Sequence, residues 1–437
     1  MAQRAQFLQK ETALLWQEIE ESSLEQWDFA WGPGLSTALQ QWHLWVIAGG
    51  LVLLLYLCWC LRKRSHEADS SSTEEMSFRI MKQVEEEEES EGEVPNDELN
   101  LSSRIEIVKA LVRELLWVFH ECFCNSFFPM LQPAIGVGST FEGWSPCEDD
   151  AVHQLLLPLK APPGHTFQLE MGTTWDMPAE DPCIRVELTK NQDPRLLHSL
   201  CTGSYLDVQK TARWFQKFVM SAWRDVSHSH HYILKILPSS RSCKLQLTNA
   251  SRRTLFIELV FGVQQEESDI FLSSQATEDT SIPSTTWPVT YAVAEVKFLR
   301  HMARQAQTKC VYLRCLWTCT YILMDTSSYT SYTLTYTFKT AVMHLLTTIP
   351  LSEWHRTNFL LRLRDIMQYV LCCLEEKCLN HFFLGNENVP EEISLPPSFR
   401  KAKPLNLFQR FTQDPAAYAD TLRDFKEMQN QLIRLFV

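Results

Sequence analysis

The sequence predicts an α+β chain in which a mixed-sheet domain is followed by a helical domain, the whole tethered to one N-terminal transmembrane helix. Three observations carry this: an uncharged apolar run at 44–61, short strand-like runs between Val152 and Val263, and helical periodicity beyond Tyr291. With 437 residues, 45% of them apolar and 21% charged, the chain supplies two or three cores and is not a wholly disordered polymer. Its 53 acidic residues outnumber 40 basic ones, for a formal charge of -13, so no nucleic-acid partner is expected. The 14 cysteines show no repeated spacing and read as reduced thiols of a cytosolic compartment.

Residues 1–43 form the first segment. Phe7, Leu8, Leu14, Leu15, Trp16, Ile19, Leu24 and Trp27 recur at roughly helical spacing opposite an acidic face, which suits a short exposed helix able to find a partner. Residues 44–61, LWVIAGGLVLLLYLCWCL, are long enough to cross a lipid bilayer. Trp42, Trp45, Tyr56 and Trp59 lie toward its ends, at headgroup depth, and Gly49 and Gly50 are tolerated in such a helix. Arg62, Lys63 and Arg64 follow directly, whereas the preceding fifteen residues carry no Lys or Arg. That bias places the N-terminus outside and the C-terminal side in the cytoplasm. No separate apolar signal precedes the run, so it serves as its own uncleaved insertion signal, with the plasma membrane preferred over the endoplasmic reticulum. Residues 62–100, with Glu85 to Glu89 and the Val94-Pro95 breaker, read as an acidic disordered linker.

Residues 101–290 form the sheet domain. Ser103 and Glu106 make a capping-box pattern ahead of an amphipathic helix through Ile107, Val108, Leu111, Val112, Leu115, Leu116, Val118 and Phe119. Strand-like runs follow at Val152 to Leu157, Ile184 to Leu188, Tyr232 to Leu237, Cys243 to Leu247 and Leu255 to Val263, with a helix from Asp207 to Ser227 among them. Residues 291–437 read as helices at Ala292 to Gln305, Tyr332 to Thr347, Glu353 to Phe382 and Pro415 to Phe436. Ile349-Pro350 and Leu395-Pro396-Pro397 mark loops between them.

Gly138-Ser139, inside the run GVGSTFEGW from Gly136 to Trp144, is a turn at which backbone amides can approach a phosphate; a plain turn needs no ligand. Two clusters carry zinc-ligand residue types: His228, His230 and His231, and Cys372, Cys373, Cys378 and His381. Adjacent cysteines point about 100° apart on a helix and cysteine is common in cores, so the second set reads as packed thiols and the first as a polar turn. No metal and no cofactor are expected. Cys310, Cys315 and Cys319 read as packed helix residues, and Arg252-Arg253 as a hairpin turn.

The chain resembles the inositol 1,4,5-trisphosphate receptor-interacting protein family, closest in layout to its like-1 branch, within the male-abnormal-21 superfamily that shares the nucleotidyltransferase fold with cyclic GMP-AMP synthase. The resemblance rests on the Gly136 to Trp144 run, on LCTGSYLDVQKTARWF from Leu200, FKTAVMHLLTTIPLSEW from Phe338, LNHFFLGN from Leu379 and FRKAKPLNLFQ from Phe399. It implies a nucleotidyltransferase-like domain at 101–290. Active relatives of that fold hold two divalent cations with an acidic-x-acidic pair on the strand after the Gly-Ser turn and a third carboxylate on a later strand. The resemblance puts Val152 and Gln154 at the pair and Glu258 at the third position; an alternative pair, Glu148 and Asp150, requires a loop shift. Neither Val nor Gln replaces an anionic magnesium ligand. The expectation is therefore a pseudoenzyme with a degenerate site of Gly138, Ser139, Val152, Gln154 and Glu258 and with no catalytic residues. Glu258 reads as solvent-facing or bound to a basic neighbour, and Glu142 as a cap or a member of its loop's hydrogen bonds. Lys210, Arg213 and Lys339 could line the inherited cleft and hold an anion such as an inositol phosphate or nucleotide.

For function, the resemblance implies a protein partner, the inositol trisphosphate receptor or its calcium signalling. Two alternatives stand beside it: a cell-surface ligand acting through residues 1–43 on a receptor of another cell, and an active metal-dependent nucleotidyltransferase using Gly138-Ser139 and Glu258.

Overall fold

The computed structural model describes residues 96–436, apart from 124–125, 147–150, 171–181, 189–198, 276–281, 307–309 and 327–330. The expected N-terminal helix, the apolar run at 44–61 and the acidic linker up to residue 95 lie outside the described residues. None of the described helices is long and apolar enough to cross a membrane.

Helix α1 spans Asn96–Phe123 and leads into strands β1 (Met130–Leu131) and β2 (Ile135–Val137), a short helix α2 (Gly138–Glu142), and β3 (Val152–Lys160). Strands β4 (His165–Glu170), β5 (Cys183–Leu188), β6 (Cys201–Thr202) and β7 (Tyr205–Leu206) form a four-stranded antiparallel sheet in the order β4-β5-β7-β6. Helix α3 (Val208–Ala222) precedes β8 (Tyr232–Leu237), β9 (Cys243–Asn249), β10 (Thr254–Gln264), β11 (Phe271–Ser273) and β12 (Val289–Thr290). These join β1, β2 and β3 in an eight-stranded sheet.

That sheet is mixed because its two longest apolar runs, β3 and β10, lie parallel, with Gln154 opposite Glu258, while β9 pairs antiparallel on the other edge of β10. Parallel strands are buried on both faces, and β3 accordingly is apolar and enclosed from Leu155 to Leu159. β8 and β9 form a hairpin with β10 as the next antiparallel neighbour; the β9–β10 turn places Arg252 at a φ of 61°, which accounts for the Arg252-Arg253 turn. The apolar stripe of α1 and that of α3 meet over this sheet. Phe119 stacks edge-on against Trp214 and Phe218, at ring distances of 5.5 and 5.1 Å, and Phe215 reaches Phe261 of β10. Asp207 starts α3 by accepting the Lys210 backbone N–H, and its other oxygen takes the hydroxyls of Thr202 and Ser284.

The C-terminal region is helical: α4 (Ala292–Gln305), α5 (Tyr312–Thr326), α6 (Ser331–Thr348), α7 (Phe359–Glu376), α8 (Pro397–Arg400), α9 (Arg410–Gln413) and α10 (Pro415–Phe436). Cys315 and Cys319 are fully buried in α5, as packed helix residues, whereas Cys310 precedes the helix.

Three boundaries differ from the sequence reading. α1 begins at Asn96 rather than at Ser103, since no Gly or Pro interrupts the backbone between them, and Glu106 pairs forward with Lys109 instead of capping. The helix after Asp207 ends at Ala222 and passes into two 3₁₀ turns. The single helix expected from Glu353 to Phe382 is two 3₁₀ turns followed by α7. It stops at Lys377, whose φ of 51° turns its amide and that of Cys378 back onto the carbonyls of Cys373 and Leu374.

Candidate functional site

The β2–α2 turn has geometry that only glycine satisfies. A Cβ on Gly136 would lie 2.3 Å from the Phe141 ring, because α2 folds directly back over β2. Gly138 has a φ of 80°, a left-handed conformation that costs other residues about 1–2 kcal/mol. Val137 pairs with Gln154, so Gly138 and Ser139 emerge beside β3, and a Cβ on Gly138 would stand 3.5 Å from the Gln154 amide oxygen.

Across the sheet, Gln154 of β3, Glu258 of β10 and Lys244 of β9 occupy one row, set by the registers Gln154↔Glu258 and Glu258↔Lys244. The Gln154 amide donates to Glu258 Oε2 at 3.4 Å, the Ser242 hydroxyl to Oε1 at 2.7 Å, and Lys244 Nζ lies 3.5 Å from Oε1. Ser242 is held in turn by Gln216 of α3, whose Nε2 donates to the Ser239 and Ser242 carbonyls. Val152 lies two residues before Gln154 on the same face of β3; its side chain is half exposed and its carbonyl accepts the Thr140 hydroxyl. The structure thus brings Gly138, Gln154 and Glu258 together, with one carboxylate among them, and that carboxylate has an amide, a hydroxyl and an ammonium as partners. Glu148 and Asp150 lie outside the described residues.

The three basic residues do not form one set. Lys210 directs its ammonium to the Cys201 carbonyl at 2.7 Å. Arg213 is exposed, one turn before Lys217, whose ammonium is pushed below its ordinary range first by burial and then by the Arg213 charge.

Lys339 corrects the expectation of a cleft-lining cation. Its ammonium on α6 is buried between Glu142 Oε1 of α2 and Glu295 Oε2 of α4, each at 2.6 Å. Side-chain exposures of 7%, 0% and 8% for Lys339, Glu142 and Glu295 leave no room for an external anion. Glu142 also accepts the Trp144 indole N–H at 2.6 Å, and the Trp144 ring lies 5.9 Å from Nζ. Burial works against the charge on Lys339, but the two carboxylates outweigh it and hold the ammonium above its ordinary range. Burial raises the Glu142 carboxyl even with Lys339 opposing it. The GVGSTFEGW run is therefore clamped onto the helical region by a residue of the FKTAVMHLLTTIPLSEW run. Glu295 is the participant that sequence reasoning missed; its signal was a lone acid among buried Val293, Ala294 and Val296.

Several members of the zinc-type clusters have protein partners. His228 Nδ1 faces Glu114 Oε2 at 2.8 Å, and Cys378 faces Asn380. His381 is buried, its Nδ1 accepting the Phe383 N–H and its Nε2 lying 3.3 Å from the Tyr336 hydroxyl. Cys372 is exposed while Cys373 is buried. Among the described residues no three His, Cys, Asp or Glu side chains gather as a metal site.

No family model matches the sequence. Curated proteins do. The inositol 1,4,5-trisphosphate receptor-interacting protein-like 1 of Mus musculus is 31% identical over 369 residues, covering 76% of this chain and 66% of that protein. Its Rattus norvegicus counterpart is 31% identical over 366 residues, with the same coverages. The inositol 1,4,5-trisphosphate receptor-interacting protein of Danio rerio is 29% identical over 332 residues, covering 67% of this chain and 61% of that protein. The chain thus spans about two thirds of the length of the curated relatives it matches. At 31% identity over 76% of its length, the chain belongs to the inositol 1,4,5-trisphosphate receptor-interacting protein family.

Proposed function

We propose that this chain is a non-catalytic, single-pass membrane protein whose cytoplasmic part is a nucleotidyltransferase-like domain used for protein interaction. Its partner in this reading is the inositol trisphosphate receptor or an assembly of its calcium signalling. The observation that supports the non-catalytic reading is the identity of the residues at the three ligand positions, Val152 and Gln154 on β3 and Glu258 opposite Gln154 on β10. Two-metal phosphoryl chemistry requires several anionic oxygens to clamp both cations and the attacking oxygen. Among the described residues of that site, Glu258 is the one anionic ligand, and Lys244 offsets its charge.

The partner is supported by the names of relatives such as those of Danio rerio and Mus musculus, which call them receptor-interacting proteins. Membrane attachment is supported by the apolar run at 44–61 and the basic triplet after it. The test is capture of the tagged full-length chain from gently solubilised, cross-linked membranes. The reading expects the receptor to be co-captured equally by wild type and by Glu258→Gln, and calcium release through the receptor to change when the chain is depleted. Receptor missing from the captured material, together with unaltered calcium release, overturns the partner.

A further inference from the structure

We propose that an open cavity along α4 is a binding site for a compact, multiply phosphorylated anion, with Glu392 as its built-in placeholder. The cavity has a volume of about 640 Å³ and is lined by Lys297, Arg300, Ala303, Arg304 and Glu392. Lys297, Arg300 and Arg304 recur at helical spacing on one face of α4, where like charges oppose one another unless an anion lies among them. Two of these cations have acids beside them. Lys297 pairs with Asp269 at 2.5 Å, and Arg304 pairs with Glu392, which also takes His301. No carboxylate among the described residues pairs with Arg300. A helix C-terminus accounts for a cation at Arg304, in the last turn, but not for one a turn earlier.

The two acids differ in freedom. Asp269 is almost fully enclosed, and its second oxygen accepts the Ser394 N–H at 2.9 Å while its own N–H donates to the Ser394 carbonyl. It is fixed in place and neutralises Lys297 permanently. Glu392 stands two residues before Ser394, its side chain 44% exposed, and reaches over the cavity to His301 and Arg304. The hydrogen bonds of His301 and then Arg304 hold its carboxyl below the ordinary range. A phosphate entering the cavity would take those donors, gain the Arg300 fork, and release Glu392 to solvent. The described lining has no aromatic ring on which a nucleobase could stack, which favours a compact anion over a nucleotide.

The probe is inorganic triphosphate, titrated calorimetrically into the purified full-length chain in neutral detergent. A second arm replaces it with micelles doped with a phosphatidylinositol bisphosphate, whose headgroup carries several phosphates, read by phosphorus resonance. Saturable binding in the first arm alone assigns a free anion, and in the second alone a lipid headgroup; both outcomes support the site. Arg300→Ala combined with Arg304→Ala should weaken whichever binding is found by about tenfold or more. Glu392→Gln should strengthen it, because the placeholder no longer competes; a purely structural Glu392 would give weaker or equal binding. No saturation in either arm below ~1 mM, or a Glu392→Gln protein that binds no better than wild type, overturns the proposal.

Discussion

Replacing Lys339 by methionine removes the cation from between Glu142 and Glu295 while keeping the length of the apolar stem. Both 2.6 Å bonds are lost, and two buried carboxylates are left without a cation, Glu142 keeping only the Trp144 indole N–H. Breaking a buried ion pair by deleting one partner costs about 3–5 kcal/mol. The carboxyls can limit the loss by taking up a proton. From an ordinary value of 4.5, neutralising one at pH 7 costs about 3.4 kcal/mol, so the expected loss stays near the lower end of that range. The sign with pH follows from Glu142. Its carboxyl, already raised by burial, rises further without Lys339, so the variant is stabilised by protonation as pH falls and loses that stability as pH rises through the raised value. In the wild type, Lys339 is raised above 10.5, so its contribution is fully present below that value and disappears only above it. Urea unfolding of the full-length chain should show a deficit for Lys339→Met that is larger near pH 8 than near pH 5. Adding Glu142→Gln and Glu295→Gln to the variant should recover most of it, since a neutral buried set avoids the desolvation penalty. A loss below about 1 kcal/mol, or one that does not change with pH, would refute the assignment of the triad as a buried clamp.

Further outcomes follow from other sites. At Glu114, burial raises the carboxyl, but the bonds from Ser227 and His228 outweigh it and bring it down to about 2. A depressed carboxyl contributes stability above 4.5 that is lost as pH falls toward 2, so wild type should lose thermal stability across that window and Glu114→Gln should show a flatter profile. Gly136→Ala should destabilise by about 1–3 kcal/mol, because its methyl meets the Phe141 ring; an unchanged unfolding midpoint would contradict the close approach of α2 to β2. Topology can be read from two glycosylation sequons after the apolar run, at Asn100 and Asn249. An unglycosylated chain whose N-terminal tag is cleaved by external protease is expected, whereas glycans at either site would place the folded part outside.

The elements legible in the sequence were those whose own pattern settles their state. β8 runs from Tyr232 to Leu237 as read, α4 from Ala292 to Gln305 as read, and the long apolar runs of β3 and β10 announced buried strands. Two-residue strands such as β1, β6, β7 and β12 were not legible, since they exist only through the partner across the ladder. Lys377 ends α7 by a left-handed turn that no glycine or proline signals. At the site, Gly138 was legible as a turn, positions 154 and 258 were placed by the family resemblance, and the backbone registers bring the three together. Lys339 was misplaced because its partners are 197 and 44 residues away, and a basic residue on a helix carries no local sign of which side chains will enclose it.

In the function proposed above, Val152, Gln154 and Glu258 support no metal-dependent nucleotide chemistry. Incubation of the purified full-length chain with each nucleoside triphosphate and magnesium or manganese tests it most directly, with Glu258→Gln in parallel. The account predicts no turnover above the buffer background in either protein. Metal-dependent turnover in the wild type that disappears in Glu258→Gln would contradict it and make the chain a working nucleotidyltransferase.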